Sequence, residues 1–319
     1  MGTRSASQEP AAETEPGRAP EQPRGVGGAA TTPAGLTFKG FVGLLGPGLV
    51  PLPEVYADVL GKAREWIGGV EGWTHLKTKA ASVSGSTAPV GLYKTGSEGL
   101  VWVGRVSRHE DAAVEGAASW GEFDGGIRVA HSRNEGAYTP DVYTAVELWS
   151  GGVSVEGWKG VEVAVYEMYH SIPLLNDRFF TTCVITAQHT DTDSIVVQLP
   201  FDINTLPEEF KQRSQRHPTQ PSPKFEYKPT QSEGSYQDDE AAKKKDGVSL
   251  VEGRYVSVEY ISVGNTGRDG QSEVTWKMAT ASDAAGKIPQ FVTNTSLPGQ
   301  VINDVPWFLN WVHKRRNQG

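Results

Sequence analysis

The feature that most constrains this chain is its last forty residues. A β-rich run from Val274 to Ala281 passes through Ser282, Asp283, Ala284, Ala285 and Gly286 into a stretch that stays amphipathic as far as Arg316. Ile288, Phe291, Val292, Thr295, Val301, Ile302, Val305, Phe308, Leu309 and Val312 recur mostly at intervals of three and four. That spacing places them on one face of a helix. Pro289 suits a first helical turn, where its missing N–H costs little. Lys314, Arg315 and Arg316 fall where cations favour a helix C-terminus. Pro298-Gly299 and Pro306 are expected to break the helix into two or three segments. A last strand feeding a terminal helix with a broad apolar face predicts a sheet wrapped around that helix, an arrangement that can enclose a cavity.

The rest of the chain predicts an α+β domain. Short β-branched and aromatic runs occur at 100–106, 161–169, 181–187, 194–199, 255–263 and 274–281. Several are bounded by turn residues, so consecutive strands pair antiparallel rather than through helical crossovers. Pro53 to Ile67 reads as a short helix with Val55, Val59, Leu60 and Ile67 on one side. Ser119 and Glu122 stand at capping-box spacing, with Trp120, Phe123 and Ile127 on one face of the helix they start. Residues 1–35 hold no aromatic side chain and are expected to be a disordered tail, and 207–247, with five prolines and both charge signs, a disordered insertion. The folded domain is then 36–206 joined to 248–316.

Charge and motifs exclude several functions. The net charge is −8, so the chain carries no electrostatic footprint for nucleic acid. One cysteine, Cys183, excludes an intrachain disulfide framework. It lies in an apolar run and reads as a small buried hydrophobe. No signal-peptide pattern opens the sequence, Ala6 spoils a myristoylation motif, and the apolar stretch 41–52 is too short and too broken to span a bilayer. A cytoplasmic location is expected.

No nucleophile elbow, Walker loop, HExxH or metal-spaced Cys/His set is present. His189 to Asp193 reads as a hairpin turn. His109, between Arg108 and Glu110, is a possible tuned acid–base but more simply a solvated strand end. His170 is either a structural imidazole or a group at a cavity mouth.

Several stretches resemble START-like domains. Asp283 to Asn294 is similar to their strand-to-helix junction. Tyr166-Glu167-Met168, with Leu174 to Phe180, is similar to the turn that opens a central strand. Gly104 to Glu110, Tyr138 to Asp141, the Asn176 to Phe179 turn and Ala281 to Asp283 resemble an uncharacterised START-like family found mainly in fungi. The likeness covers about 90–206 and 248–313.

The resemblance implies a helix-grip fold: a curved antiparallel sheet holding the C-terminal helix around a hydrophobic cavity for a lipid, sterol or polyketide-like molecule. It implies Glu167 and Arg178 as polar groups inside that cavity. It also implies walls from Ile288, Phe291, Val292 and Val301, with Met278 on the adjoining strand. Here Asp177 precedes Arg178, the reverse of the usual START order, so Arg178 has a second reading as a turn anchor. No cofactor is implied; the partner is a hydrophobic small molecule, with transient membrane contact.

Binding and transfer of that molecule is the function expected. A cyclase-like enzyme or an interaction scaffold are the alternatives. Dry walls favour a carrier, two polar groups within hydrogen-bond reach favour chemistry, and an interior without a pocket of ~300 Å³ would leave the scaffold.

Overall fold

The computed structural model describes residues 1–2, 53–83, 85–97, 100–172, 175–220, 224–230, 234–265, 270–283 and 290–318. The tail expected at 1–35 therefore lies almost wholly outside the described residues. In chain order the elements are α1 (Pro53–Gly68), β1 (Thr74–Ala80), β2 (Pro89–Ser97), β3 (Leu100–Glu110), α2 (Trp120–Phe123) and α3 (His131–Tyr138). There follow β4 (Val142–Gly152), β5 (Lys159–His170), β6 (Asp177–Thr190), β7 (Asp193–Pro200) and α4 (Glu208–Lys211). Then come β8 (Arg216–Thr219), β9 (Lys224–Tyr227), β10 (Tyr236–Gln237), α5 (Asp239–Lys244), β11 (Ser249–Asn265), β12 (Ser272–Asp283) and α6 (Gln290–Arg316). The main sheet runs β1-β2-β3-β12-β11-β7-β6-β5-β4-β10, antiparallel along the path.

The strands have two buried faces, and alternation assigns each side chain to one of them. On the outer face Trp102, Val106, Val163, Cys183, Ile185, Val197, Val258 and Ala279 pack against Tyr56, Val59, Leu60, Ala63 and Ile67 of α1. On the inner face Met168, Val184, Val196, Ile261 and Trp276 pack against Val305, Phe308, Leu309 and Val312 of α6, with Phe123 and Ile127 beside them. A curved antiparallel sheet gripping its C-terminal helix is the helix-grip arrangement, α+β as expected.

The Ser119–Glu122 capping box is formed, and Glu122 also takes an ion pair from Arg316, tying the end of α6 to α2. The chain after α2 continues as a π-turn, Asp124–Arg128. There a Cβ on Gly126 would stand 2.6 Å from the Phe308 ring, so only glycine admits α6 this closely.

Two expectations are corrected. α6 runs unbroken for 27 residues through positions 298 and 306. An interior proline costs a helix about 3 kcal/mol, and the burial of Val301, Val305, Phe308, Leu309 and Val312 against the sheet outweighs it. Residues 207–247 are not a disordered insertion: they carry α4, β8, β9, β10 and α5, and β9 and β10 join the sheet. Few apolar residues suffice because they are placed at the contact. Leu206, Tyr227 and Ala242 close a third cluster with Tyr143, Val146, Tyr169 and Phe179 on the outer face.

Among the described residues, no helix is long and apolar enough to cross a membrane.

Candidate functional site

The sequence candidates separate. Glu167 alternates with Tyr166 and Met168, which face inward, so its carboxylate points outward beneath the 207–247 segment. It is fully buried there, accepting from Tyr169 Oη (2.6 Å), Ser214 Oγ (2.7 Å) and Thr181 Oγ1 (3.3 Å), and is ion-paired with Arg216 Nε at 3.1 Å. It is a fastening for the segment and does not line the interior.

Arg178 has inward parity but donates through Nη1 to the Asn176 carbonyl at 2.5 Å, the turn-anchor role. Glu167 and Arg178 therefore form no pair. Met278 does face inward and packs with Val301, Leu92 and Val103. Ile288, and the side chains of Phe291 and Val292, lie outside the described residues.

What occupies the inner face instead is a polar cluster drawn from six elements: Arg105 (β3), Glu135 with His131 (α3), Gln198 (β7), Tyr255 and Glu259 (β11), Trp276 (β12) and Asp304 (α6). His131 is buried at the first position of α3. Its Nδ1–H goes to the Ile127 carbonyl at 2.6 Å, which leaves Nε2 as the titrating atom. Nε2 lies 2.8 Å from the Gln198 amide, 3.4 Å from Glu135 Oε2 and 3.7 Å from Glu259 Oε1. The Gln198 amide also meets the Tyr255 hydroxyl at 2.5 Å, and Trp276 Nε1–H donates to Glu259 at 2.8 Å.

Burial alone would lower the His131 pKa, but the Glu135 and Glu259 carboxylates and the Ile127 carbonyl outweigh it and raise it to about 9. Burial, with Glu135 adding to it, raises the carboxyl of Glu259. Burial likewise holds Asp304 well above the ordinary range, Glu259 and Glu135 reinforcing it against Arg105.

Arg105 is the unusual member. Its side chain is 0% exposed, yet no carboxylate among the described residues lies within ion-pair distance. Its guanidinium stacks on Trp276, 3.8 Å from the ring centroid, with only long contacts to Ser107 Oγ (3.5 Å) and Met278 Sδ (3.7 Å). Nε has no partner. Other buried polar atoms without a hydrogen-bond partner lie on the same face of the sheet: His109 Nδ1, Thr182 Oγ1 and Ser257 Oγ. Native interiors leave few such atoms.

Glu135, His170, Tyr255 and Asp304 are half-buried. His109 is not a solvated strand end: it is buried against Phe123, and desolvation with Arg105 beside it pushes its pKa down to about 3. His170 packs edge-on against Phe180.

An open cleft of ≈ 380 Å³ reaches this region from outside, between the first turn of α3 and strands β4 to β6. Of the polar cluster, His131 lines it. This cleft is open to solvent, so it is not the enclosed interior pocket on which the choice between carrier and scaffold turns.

Sequence reasoning missed the cluster because its members are polar residues scattered from position 105 to position 304. The one available signal was polar residues at alternate positions in otherwise apolar strands, Arg105-Ser107-His109 above all.

A family described as "Protein of unknown function (DUF3074)" matches residues 102–312, more than half of the chain. No curated protein matches the sequence. Among solved structures, human STARD10 is similar at a TM-score of 0.44 and 13% identity, over 84% of this chain and 82% of that one. The human StarD13 (DLC2) lipid transfer and protein localization domain is similar at 0.38 and 12%, over 80% and 95%. The di-domain ARO/CYC StfQ from the steffimycin biosynthetic pathway is similar at 0.22 and 8%, over 80% and 95%.

Proposed function

The chain belongs to the DUF3074 family, and we propose that it binds an amphipathic small molecule between the inner face of its sheet and helix α6. The apolar part of the ligand lies against Leu92, Val103, Met278 and Val301, and its polar end meets Arg105, Glu259 and Asp304. The observation that carries this reading is the fully buried guanidinium of Arg105, whose Nε has no partner and whose other nitrogens make only long contacts. A buried charge without a hydrogen-bonded counterpart is costly, and a polar ligand group supplies the missing partner. Apolar burial contributes ~25 cal/mol per Å², enough to hold the body of the ligand, while the polar cluster selects its head. Delivery to or from a membrane, with transient contact, belongs to the same reading.

Native mass spectrometry of the purified protein, followed by organic extraction, tests it. A defined amphiphile near one-to-one stoichiometry in the wild type, lost in Arg105→Met, is the expected result. A protein that comes empty and takes up neither fluorescent sterols nor fatty acids refutes it.

A second reading has its own observation. The walls are not dry: His131, Glu135, Gln198, Tyr255 and Glu259 form one connected polar network with titratable groups at its ends, the arrangement that favours acid–base chemistry on the bound molecule. Recovery of a chemically altered ligand from the wild type, and of the unaltered one from Glu259→Gln, would establish it.

A further inference from the structure

The free edge of the sheet carries charge of one sign. β1 is the edge strand, paired with β2 alone, and all seven of its residues are exposed. From Thr74 to Ser97 the two strands hold three lysines and a histidine and not one aspartate or glutamate, in a chain whose net charge is −8.

Register gathers the lysines on one side. Lys77 lies opposite Leu92, Lys79 opposite Val90, and Lys94 opposite Val103. Val90, Leu92 and Val103 all pack on the inner side of the sheet, so Lys77, Lys79 and Lys94 share that side, at steps of about 7–8 Å along and across the strands. All three are exposed, and none has an ion pair or side-chain hydrogen bond among the described residues. Lys62, Lys159, Lys244 and Lys277, by contrast, each hold a carboxylate. Glu71, just before β1, is taken up by Arg108 and Lys277. Leu76, in the bulge between His75 and Lys77, adds an apolar side chain to the edge at 38% exposure.

Neighbouring like charges on a sheet repel. A charge on an edge strand also deters pairing with a further strand, but either sign does that, and Lys94 lies on β2, which is paired on both sides. A negatively charged partner accounts for the single sign across both strands.

We propose that this edge is the docking surface for a membrane that displays anionic head groups, met by Lys77, Lys79 and Lys94. The inference rests on the membrane transfer proposed above and adds where contact is made. The lysines border Leu92 and Val103, part of the apolar wall proposed for the ligand, so docking here brings that wall to the bilayer. At physiological salt a charge is felt over about 8 Å, so carboxylates farther away on the acidic surface do not cancel the patch.

The test is flotation of the full chain with vesicles of phosphatidylcholine alone and of phosphatidylcholine mixed with phosphatidylserine. One variant combines Lys77→Gln, Lys79→Gln and Lys94→Gln; a control with the same change in charge combines Lys62→Gln, Lys159→Gln and Lys244→Gln. The edge residues are exposed and unpaired, so that variant is expected to fold as the wild type does. Expected is binding to the phosphatidylserine vesicles only, weakened by salt, and about a hundredfold weaker in the edge variant, at about fivefold per lysine. The control should lose far less. Equal loss in the control, equal binding to both vesicles, or retention on RNA without binding to vesicles overturns the proposal. Uptake of a fluorescent fatty acid from solution is measured on the same proteins and is expected to be unchanged in the edge variant. Docking through these lysines without uptake supports the surface and refutes the cargo; uptake without docking refutes the surface alone.

Discussion

Replacing Arg105 by methionine separates a ligand-binding charge from a structural one by the sign of its effect on stability. Moving a guanidinium from water to a protein interior costs several kcal/mol even after relaxation. In this site the return is small. Stacking on Trp276 at 3.8 Å is worth about 2 kcal/mol when desolvated. The contacts to Ser107 Oγ at 3.5 Å and Met278 Sδ at 3.7 Å are too long to add more than about 1 kcal/mol. Glu259 and Asp304 act from beyond ion-pair distance, and burial drives both toward their neutral forms.

Arg105→Met, which keeps an apolar chain of similar length in the same space, should therefore stabilise the ligand-free protein by about 1–2 kcal/mol. In Tm that is about 1.5–3 °C for a chain of this size. The assay is urea unfolding of delipidated wild type and variant with m held equal, beside a binding measurement in which the variant loses its amphiphile. A structural ion pair behaves oppositely: removing one partner destabilises by about 3–5 kcal/mol. A loss of that size in the ligand-free variant would refute the argument, because Arg105 would then be compensated within the fold.

Three further outcomes follow from the same geometry. Arg216→Met leaves the buried Glu167 carboxylate without its counter-ion. A loss of about 3 kcal/mol, together with new protease cleavage within 207–247, is expected, and cleavage unchanged from wild type would show that the segment docks by other means. His131 is held at about 9, above its ordinary 6.5, so its stabilising contribution is complete below pH 6.5 and fades as pH rises through 9; urea midpoints should fall across that window in the wild type and less in His131→Gln. His109, depressed to about 3, acts in the acid range, its contribution being present above pH 6.5 and lost as pH falls toward 3. Burial pushes the Cys183 thiol up to about 12, so a thiol reagent should label it only in denaturant; rapid labelling of the native protein would place it elsewhere than under α1.

The sequence by itself determined the elements whose signal is local. Alternation located the strands at 100–106, 161–169, 181–187, 194–199, 255–263 and 274–281, all of which lie within strands. Spacing located the helices at each end, and Ser119 with Glu122 announced a capping box that is formed. Asp191 and Thr192 make the turn between β6 and β7 that their composition predicts.

Only the tertiary structure decided three other things. Glu167 and Arg178 are close in sequence and in neighbouring strands, but parity and the register of β5 on β6 put them on opposite faces, and register belongs to the sheet. The 207–247 segment looked disordered by composition because its few apolar residues are dilute along the chain; Tyr227 and Ala242 become core once folding sets them against Tyr143 and Tyr169. The polar cluster of Arg105, His131, Glu259 and Asp304 has no sequence signature at all. Each residue alone is an ordinary polar position, and their chemistry arises from a shared low-dielectric interior that exists only after strands β3 and β11, helix α3 and helix α6 have closed around it.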